Sequence, residues 1–306
     1  MPVSRKYLDP ETIARLSGLE LRARSFAVGF RSGVQRSPYH GFSIEFAEHR
    51  EYVPGDDVRN IDWRVFGRAD RLYVKEHEEE TNLSCHILVD ASNSMAYRGA
   101  AAHSGRTKLE YSCGLAASLA YLLVHQQDAA GLITFDRQIR AQMSASTGRS
   151  HLNNLAKLLE DTQPAEVTDV KILFHRLAEG LRKRTMIVLI SDLLADAADV
   201  VSGLEHISHS GHELIVFHVL DDDEWNMPFV ENALFEGLED SQRLLADPQS
   251  LRTSYLAVVE RFVARVKGAC IKHRADYVPV NTRDPLVAVL SGYLARRAGI
   301  MAVGRK

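Results

Sequence analysis

The sequence predicts an α/β fold in which a doubly wound, mostly parallel sheet is flanked by helices. From about residue 83, short apolar segments of strand length alternate with longer segments of helical periodicity, which is the pattern of right-handed βαβ units. The strand segments are almost continuously apolar, as expected for strands buried on both faces of a parallel sheet. Residues 1–82 do not follow this alternation. We therefore expect a turn-rich N-terminal extension over 1–82 and an α/β domain over 83–306.

The elements of the domain follow one another in a regular order. The predicted strands are LSCHILVD, AAGLITFD, an edge-like QIRAQM, TMIVLISD, HELIVFHVLDDD and ADYVPV. The predicted helices are KLEYSCGLAASLAYLLVHQQ, RSHLNNLAKLLEDT, DVKILFHRLAEGLRKR, AADVVSGLEHISHSG, SLRTSYLAVVERFVARVKGACIKH and DPLVAVLSGYLARR. Residues 221–247 are acidic and less regular, so we expect them to form an elaboration of the domain. In the extension, a helix is expected over DPETIARLSGLELRARSF.

Composition narrows the class of protein. Hydrophobic residues make up 45% and charged residues 25% of the 306 residues, as in an ordinary globular chain. The net charge of −3 argues against nucleic acid as the main partner. Neither a signal peptide nor a stretch of the roughly 20 apolar residues that a membrane helix needs is visible. Cys85, Cys113 and Cys270 lie far apart, which favours reduced, buried thiols and a cytoplasmic protein.

Polar side chains follow two of the predicted strands. Asp90 ends the first strand and is followed by Ser92 and Ser94, while Asp192 directly follows another strand. Alternate residues of an extended loop point to the same side, and parallel sheets present ligand sites at the carboxyl ends of their strands. Carboxylate and hydroxyl oxygens suit Mg²⁺ or Mn²⁺. The alternative is that Asp90 and Ser92 only cap the next helix, since both residue types favour N-caps.

This arrangement resembles the metal-ion-dependent adhesion site of von Willebrand factor A domains. That motif is D-x-S-x-S after the first strand, a Thr before a middle helix and an Asp after a later strand. Asp90, Ser92 and Ser94 match its first part, Thr168 matches the Thr by order, and Asp192 matches the last position. The resemblance implies Ser92, Ser94 and Thr168 as direct ligands, with Asp90 and Asp192 binding directly or through water. The glycine that often precedes that Thr is absent here.

A second motif lies upstream, in EYVPGDDVRNIDWRVFGRADRLYVK at residues 51–75. Pro54 and Gly55 have the chemistry of a turn, and apolar residues alternate with charged ones after it. This alternation predicts a turn and β-ribbon whose charged side chains form surface pairs of little energy. The alternative is a recognition surface for a partner protein. Its residues would be Asp56, Asp57, Arg59, Asp62 and Trp63.

The upstream motif resembles the Y-x-P-G-D-D-x-R-x-I-D-W hallmark of the MoxR-associated, von Willebrand factor A-like bacterial family DUF58. Together with the adhesion-type motif, the resemblance covers roughly residues 40–300. It implies a cytosolic partner of MoxR-type AAA+ ATPases, which are described as chaperones. Other members carry N-terminal membrane helices, and we do not expect one in this sequence.

Three functions are compatible with the sequence. The first is a non-enzymatic protein-binding module, an adaptor for a MoxR-type AAA+ ATPase or its client, that grips a partner carboxylate through bound Mg²⁺ or Mn²⁺. The second is a metal-dependent phosphohydrolase, although the second carboxylate that aspartyl-phosphate enzymes usually need is replaced by Ser92. The third is a structural scaffold without an ion. The sequence contains neither a P-loop nor a dinucleotide-binding motif, so we expect no intrinsic nucleotide hydrolysis.

Three histidines spaced by three residues, His206, His209 and His212, invite a zinc interpretation. A helix end carrying solvated histidines is the expectation that we prefer.

Overall fold

A computed structural model describes most of the chain, over residues 6–8, 10–19, 44–52, 61–69, 71–79, 83–165, 185–239 and 242–303. The chain divides into two compact units. The smaller unit is Val34–Asn82, and the larger unit combines Met1–Gly33 with Leu83–Lys306. The two units are described separately below.

The smaller unit contains an antiparallel strand pair and a helix. Strands β1 (Ile44–Glu51) and β2 (Tyr73–Glu79) pair with each other, and the helix Trp63–Ala69 lies between them in sequence. The ribbon expected over this stretch is therefore wrong at Trp63–Ala69, where the alternation of apolar and charged residues is taken up by two turns of helix. A segment this short does not separate strand from helix periodicity.

In the larger unit, six strands form a mostly parallel sheet, as predicted. They are β3 (Ser84–Asp90), β4 (Ala129–Phe135), β5 (Ile139–Ser146), β6 (Met186–Ser191), β7 (Glu213–Leu220) and β10 (Asp276–Asn281). Strands β8 (Ala233–Glu236) and β9 (Arg243–Ala246) lie outside this sheet. The order in the sheet is β10-β7-β6-β3-β4-β5. Only β5 runs antiparallel to its neighbour in this sheet, and it forms the expected edge. The acidic segment 221–247 adds a short helix, Asp222–Asn226, and the separate β8–β9 hairpin.

Helices cover both faces of the sheet, which confirms the doubly wound class. One face packs against Pro10–Ser17, Lys108–His125, Arg149–Asp161 and Leu286–Val303. The other face packs against Ala197–His209 and Pro248–Lys272. Ile87 belongs to the first core and Leu88 to the second, because successive strand residues point to opposite faces. The predicted helix at 169–184 lies outside the described residues.

The strand order creates a crevice at the carboxyl ends of the two central strands. From β3 the chain passes through the helix Lys108–His125 to β4 on one side, whereas from β6 it passes to β7 on the other side. The carboxyl ends of β3 and β6 therefore flank the point where the winding reverses. In open α/β sheets this is the usual position of a ligand site.

The structure also bears on the cysteines and on membrane-spanning helices. Cys85, Cys113 and Cys270 are free and buried, as the sequence predicted. In the ranges that the structure describes, no helix combines the length and the apolar character that crossing a membrane requires.

Candidate functional site

The carboxylate of Asp90 organises the loop that follows β3. Its Oδ1 accepts a hydrogen bond from the Ser92 backbone N–H at 2.9 Å. Its Oδ2 accepts one from the Ser191 hydroxyl, at the end of neighbouring β6, at 2.5 Å. All three residues are buried. The Asp90 side chain is thus fixed between the ends of the two central strands.

The hydroxyl groups of the motif converge. The Oγ atoms of Ser92 and Ser94 lie 3.0 Å apart, as the alternation along the loop suggests. Ser92 stands at the N-cap of the short 3₁₀ helix Asn93–Ala96, but its side chain makes no capping hydrogen bond. Helix capping therefore does not explain the Ser92 hydroxyl. Two neutral oxygens and a carboxylate meet in one buried loop.

Burial gives the candidate site an unfavourable charge balance. Burial and the nearby charge of Asp192 together raise the pKa of Asp90 to about 7, against the lowering effect of hydrogen bonds from Ser191 and Ser92. Two carboxylates that influence each other in a buried place favour an added positive charge. The Asp90 side of the site therefore suits a cation.

A lysine already neutralises the Asp192 side. The Nζ of Lys108 donates to Asp192 Oδ2 at 2.8 Å and to Glu224 Oε1 at 2.6 Å. The side chains of Lys108 and Asp192 are both 0% exposed. Burial opposes the charge on Lys108, but Asp192 and Glu224 raise its pKa above the ordinary value. Lys108 is therefore a buried ammonium ion held between two carboxylates.

The backbone around Asp192 is held in an unusual shape. The Nε2 of His218 lies 2.9 Å from the Asp192 carbonyl oxygen, and burial lowers the pKa of His218 to about 4. That ring is consequently neutral at physiological pH and donates to the carbonyl. The next residue, Leu193, adopts a φ of 54°. Positive φ angles are uncommon for bulky residues, and residues that adopt them cluster at functional sites.

The acidic segment forms the outer wall of the site. The carboxylate of Asp221 caps the helix Asp222–Asn226, and Glu224 completes a capping box by accepting from the Asp221 N–H at 2.7 Å. Thr282 donates to Asp221 Oδ2 at 2.6 Å. These contacts orient Glu224 toward Lys108.

A cavity of about 380 Å³ opens beside Ser94 and Glu224. Its walls combine four aromatic rings with acidic side chains, most of them from the acidic segment. The aromatic residues are Tyr97, Phe229, Phe235 and Tyr255, and the acidic ones are Asp223, Glu224, Glu236 and Glu239. The candidate site thus borders this cavity through Ser94, on the side of the acidic segment.

The donor chemistry fits a divalent metal ion on one side of the site and only incompletely on the other. Asp90, Ser92 and Ser94 offer a buried carboxylate and two converging hydroxyls, which suit Mg²⁺. Asp192 is already bonded to Lys108. In the described ranges, no group of three or more His, Cys, Asp or Glu side chains is arranged to hold a metal. An ion here would depend on the two hydroxyls.

Several predicted site residues lie elsewhere or outside the description. Thr168 belongs to the undescribed range 166–184. The last described residue before that range, Ala165, forms a parallel β-bridge with Ser92. Asp56, Asp57 and Arg59 also lie outside the described residues. In the smaller unit, Asp62 is buried at the start of the helix Trp63–Ala69, and Trp63 is 63% exposed.

In the described part of the chain, no group of three metal-binding side chains includes His206, His209 or His212, and two of these histidines make separate contacts. His209 Nδ1 lies 2.8 Å from the Glu205 carbonyl oxygen, and His212 Nδ1 accepts from the Thr185 N–H at 3.3 Å. His212 is buried, so the expectation of a solvated histidine is wrong at that position.

Sequence reasoning missed Lys108, Ser191 and Glu224. One signal for Lys108 was present, because a lysine at the first position of a helix opposes the helix dipole. Ser191 precedes Asp192, and its sequence context is that of an ordinary strand end. Glu224 belongs to an acidic run that does not single it out.

Comparison with solved structures gives distant similarities. An aerotolerance-related membrane protein from Bacteroides fragilis is 18% identical and covers 71% of this chain and 98% of its own, with a TM-score of 0.48. BatB from Bacteroides thetaiotaomicron is 17% identical, covers 71% and 100%, and has a TM-score of 0.44. The VWA domain of SpRpn10 is 12% identical, covers 69% and 94%, and has a TM-score of 0.38.

Sequence comparison reaches further along the chain. Proteins described as uncharacterized from Mycobacterium bovis and Mycobacterium tuberculosis are 26% identical over 300 residues, which cover 96% of this chain and 92% of theirs. The signature of the family described as "Protein of unknown function DUF58" matches residues 48–264. The chain therefore belongs to the DUF58 family.

Proposed function

We propose that this protein is a protein-interaction module that binds a partner at the carboxyl edge of its central sheet through Mg²⁺ or Mn²⁺. The observation that carries this proposal is the convergence of the Ser92 and Ser94 hydroxyls, 3.0 Å apart, beside the buried carboxylate of Asp90. These groups lie at the switch point of the sheet, where open α/β folds bind ligands. Thr168 is the proposed third hydroxyl.

Each residue has a role in this proposal. Asp90 is fixed by Ser92 and Ser191, so its carboxylate is oriented before any ion arrives. Ser92 and Ser94 would hold the ion through neutral oxygens. A cation bound mostly by neutral oxygens retains most of its charge, and it supplies an attraction for a carboxylate of the partner. The function is recognition, and no bond needs to break.

The proposed partner is a MoxR-type AAA+ ATPase or a client of that ATPase. This part of the proposal is supported by membership of DUF58 and by the upstream motif that resembles the MoxR-associated proteins. The proposed meeting place is the cytoplasm, which agrees with three free, buried cysteines. The motif residues Asp56, Asp57, Arg59, Asp62 and Trp63 are a second proposed contact with the partner, supported by the exposed side chain of Trp63.

Calorimetric titration with Mg²⁺ and Mn²⁺ tests the metal step. Ser92→Ala and Thr168→Ala should each weaken binding by at least about tenfold, the scale seen when groups supporting a metal are removed. Ser118→Ala is the matched control, because that buried hydroxyl bonds the Gly114 carbonyl within its own helix. Equal affinities for Ser92→Ala and wild type would contradict the site.

The partner step needs a separate measurement. The purified MoxR-type ATPase of the same organism should be retained by the immobilised protein in Mg²⁺ and released by EDTA. Retention that is insensitive to EDTA and to Ser92→Ala would move recognition away from the metal motif. Failure of both steps would leave a scaffold.

A further inference from the structure

The position of Lys108 conflicts with two general rules. It is the first residue of the helix Lys108–His125, where the helix dipole disfavours a cation. Its side chain is fully buried, although lysine is among the residues least often found inside proteins. Local sequence preferences therefore do not explain the buried position of Lys108, and the explanation must lie in the contacts of its side chain.

Those contacts join two parts of the candidate site. Asp192 follows β6 and is a candidate metal ligand, whereas Glu224 belongs to the acidic segment. Both carboxylates share one ammonium group, at 2.8 and 2.6 Å respectively. The Asp192 side chain is inaccessible, and that of Glu224 is 20% exposed. One end of this bridge is therefore inside the site and the other reaches the cavity.

We propose that Lys108 is the resident cation of the site, where its ammonium group competes with a divalent metal ion for Asp192 while it anchors Glu224 of the acidic segment. The competition with metal rests on the proposed function, whereas the contacts of Lys108 do not.

The charges favour exchange between the two cations. Asp90, Asp192 and Glu224 bring three carboxylates to a place where Lys108 supplies a single positive charge. A divalent ion would compensate more of that charge from the side of Ser92 and Ser94. Lysine carries a compact charge on a flexible stem, and its contact with Glu224 gives it a second partner. Lys108 can therefore release Asp192 without becoming an unpaired buried charge.

Titration of metal-free protein with Mn²⁺ tests the competition. Lys108→Met frees Asp192 and Glu224 and should bind Mn²⁺ at least about tenfold more tightly than wild type, equivalent to 1.4 kcal/mol. Lys108→Arg retains the charge and should stay within about threefold of wild type, well short of that tenfold step. Arg297→Met is the matched control, since Arg297 is a buried cation that pairs with Glu213 and Asp276 at the other edge of the sheet. It should leave Mn²⁺ affinity unchanged.

Lys108→Met is also combined with Glu224→Gln in a double variant, so that the test does not depend on the folding of the single variant. The double variant removes one of the two released charges and should still bind Mn²⁺ more tightly than wild type, with circular dichroism checking the fold. Wild-type binding that is not strengthened in either folded variant would overturn the competition and leave the metal site standing. Binding in the variants alone would support it and make Lys108 the working cation of the natural protein. No binding in any variant would overturn both proposals.

Discussion

Two buried cations stand at opposite edges of the sheet, and each is held between two carboxylates. Lys108 joins Asp192 and Glu224 at the carboxyl edge. Arg297 joins Glu213 and Asp276, the first residues of β7 and β10, at the amino edge.

The two clusters differ in how they hold their charge. Arg297 donates through separate nitrogens, Nη1 to Asp276 at 2.9 Å and Nη2 to Glu213, and Nη1 also lies 2.9 Å from the Tyr293 hydroxyl. Lys108 donates to both of its partners through one ammonium group. The planar guanidinium of arginine fixes the geometry of its hydrogen bonds, whereas the ammonium of lysine is a compact charge that can change partners. The comparison indicates a structural clamp at the amino edge and an exchangeable cation at the carboxyl edge.

The largest expected difference between the clusters is in stability. In metal-free buffer, Lys108→Met should lower the free energy of unfolding by about 3–5 kcal/mol, because it leaves a fully buried carboxylate uncompensated. Arg297→Met should cost less, about 1–3 kcal/mol, since Glu213 and Asp276 are 22% and 40% exposed and water can solvate them. Urea unfolding of both variants measures the difference. Equal losses would break the distinction.

A smaller effect should appear in the pH dependence, and it concerns Asp90, the carboxylate beside the Lys108 cluster. Its pKa is raised from 3.8 to about 7, so the folded state holds this proton more tightly than the unfolded chain. The contribution of Asp90 is complete below about pH 4 and is lost as the pH rises through 7. Between pH 5 and 8, wild type should lose about 2.5 kcal/mol more than Asp90→Asn.

Urea unfolding in EDTA at both pH values checks this expectation. The difference between the two proteins is the relevant quantity, because groups that do not interact with Asp90 titrate equally in both. Parallel profiles would show that Asp90 stays ionised over this range and that its pKa is not raised in the folded protein.

The smallest effect concerns the support of Glu224. A Cβ on Gly99 would lie 2.0 Å from Asp221 Oδ1, and Asp221 is the cap that positions Glu224. Gly99→Ala should therefore cost about 1–2 kcal/mol through overpacking. Gly268→Ala is the matched control, because nothing lies within 4 Å of its Cβ and alanine should gain about 0.5–1 kcal/mol in that helix. Thermal melting of both variants tests the contrast.

The sequence by itself determined the fold class and the carboxyl-edge motif. Apolar runs such as Ser84–Asp90 and Met186–Ser191 identify buried parallel strands, because burial on both faces leaves a continuous pattern. Strand ends in a parallel sheet share one edge, so the order of the elements alone predicts that Asp90 and Asp192 lie near each other. The family was also recognisable from residues 51–63.

Only the tertiary structure decided how the charges are balanced. Lys108 lies 84 residues from Asp192 and 116 residues from Glu224 in sequence, and no local pattern joins them. The helix Trp63–Ala69 was likewise not predicted, because seven residues are too few to distinguish helical from strand periodicity. Local spacing determines which face a side chain takes, but a buried ion pair depends on which distant segments are packed together, and that is a property of the folded chain alone.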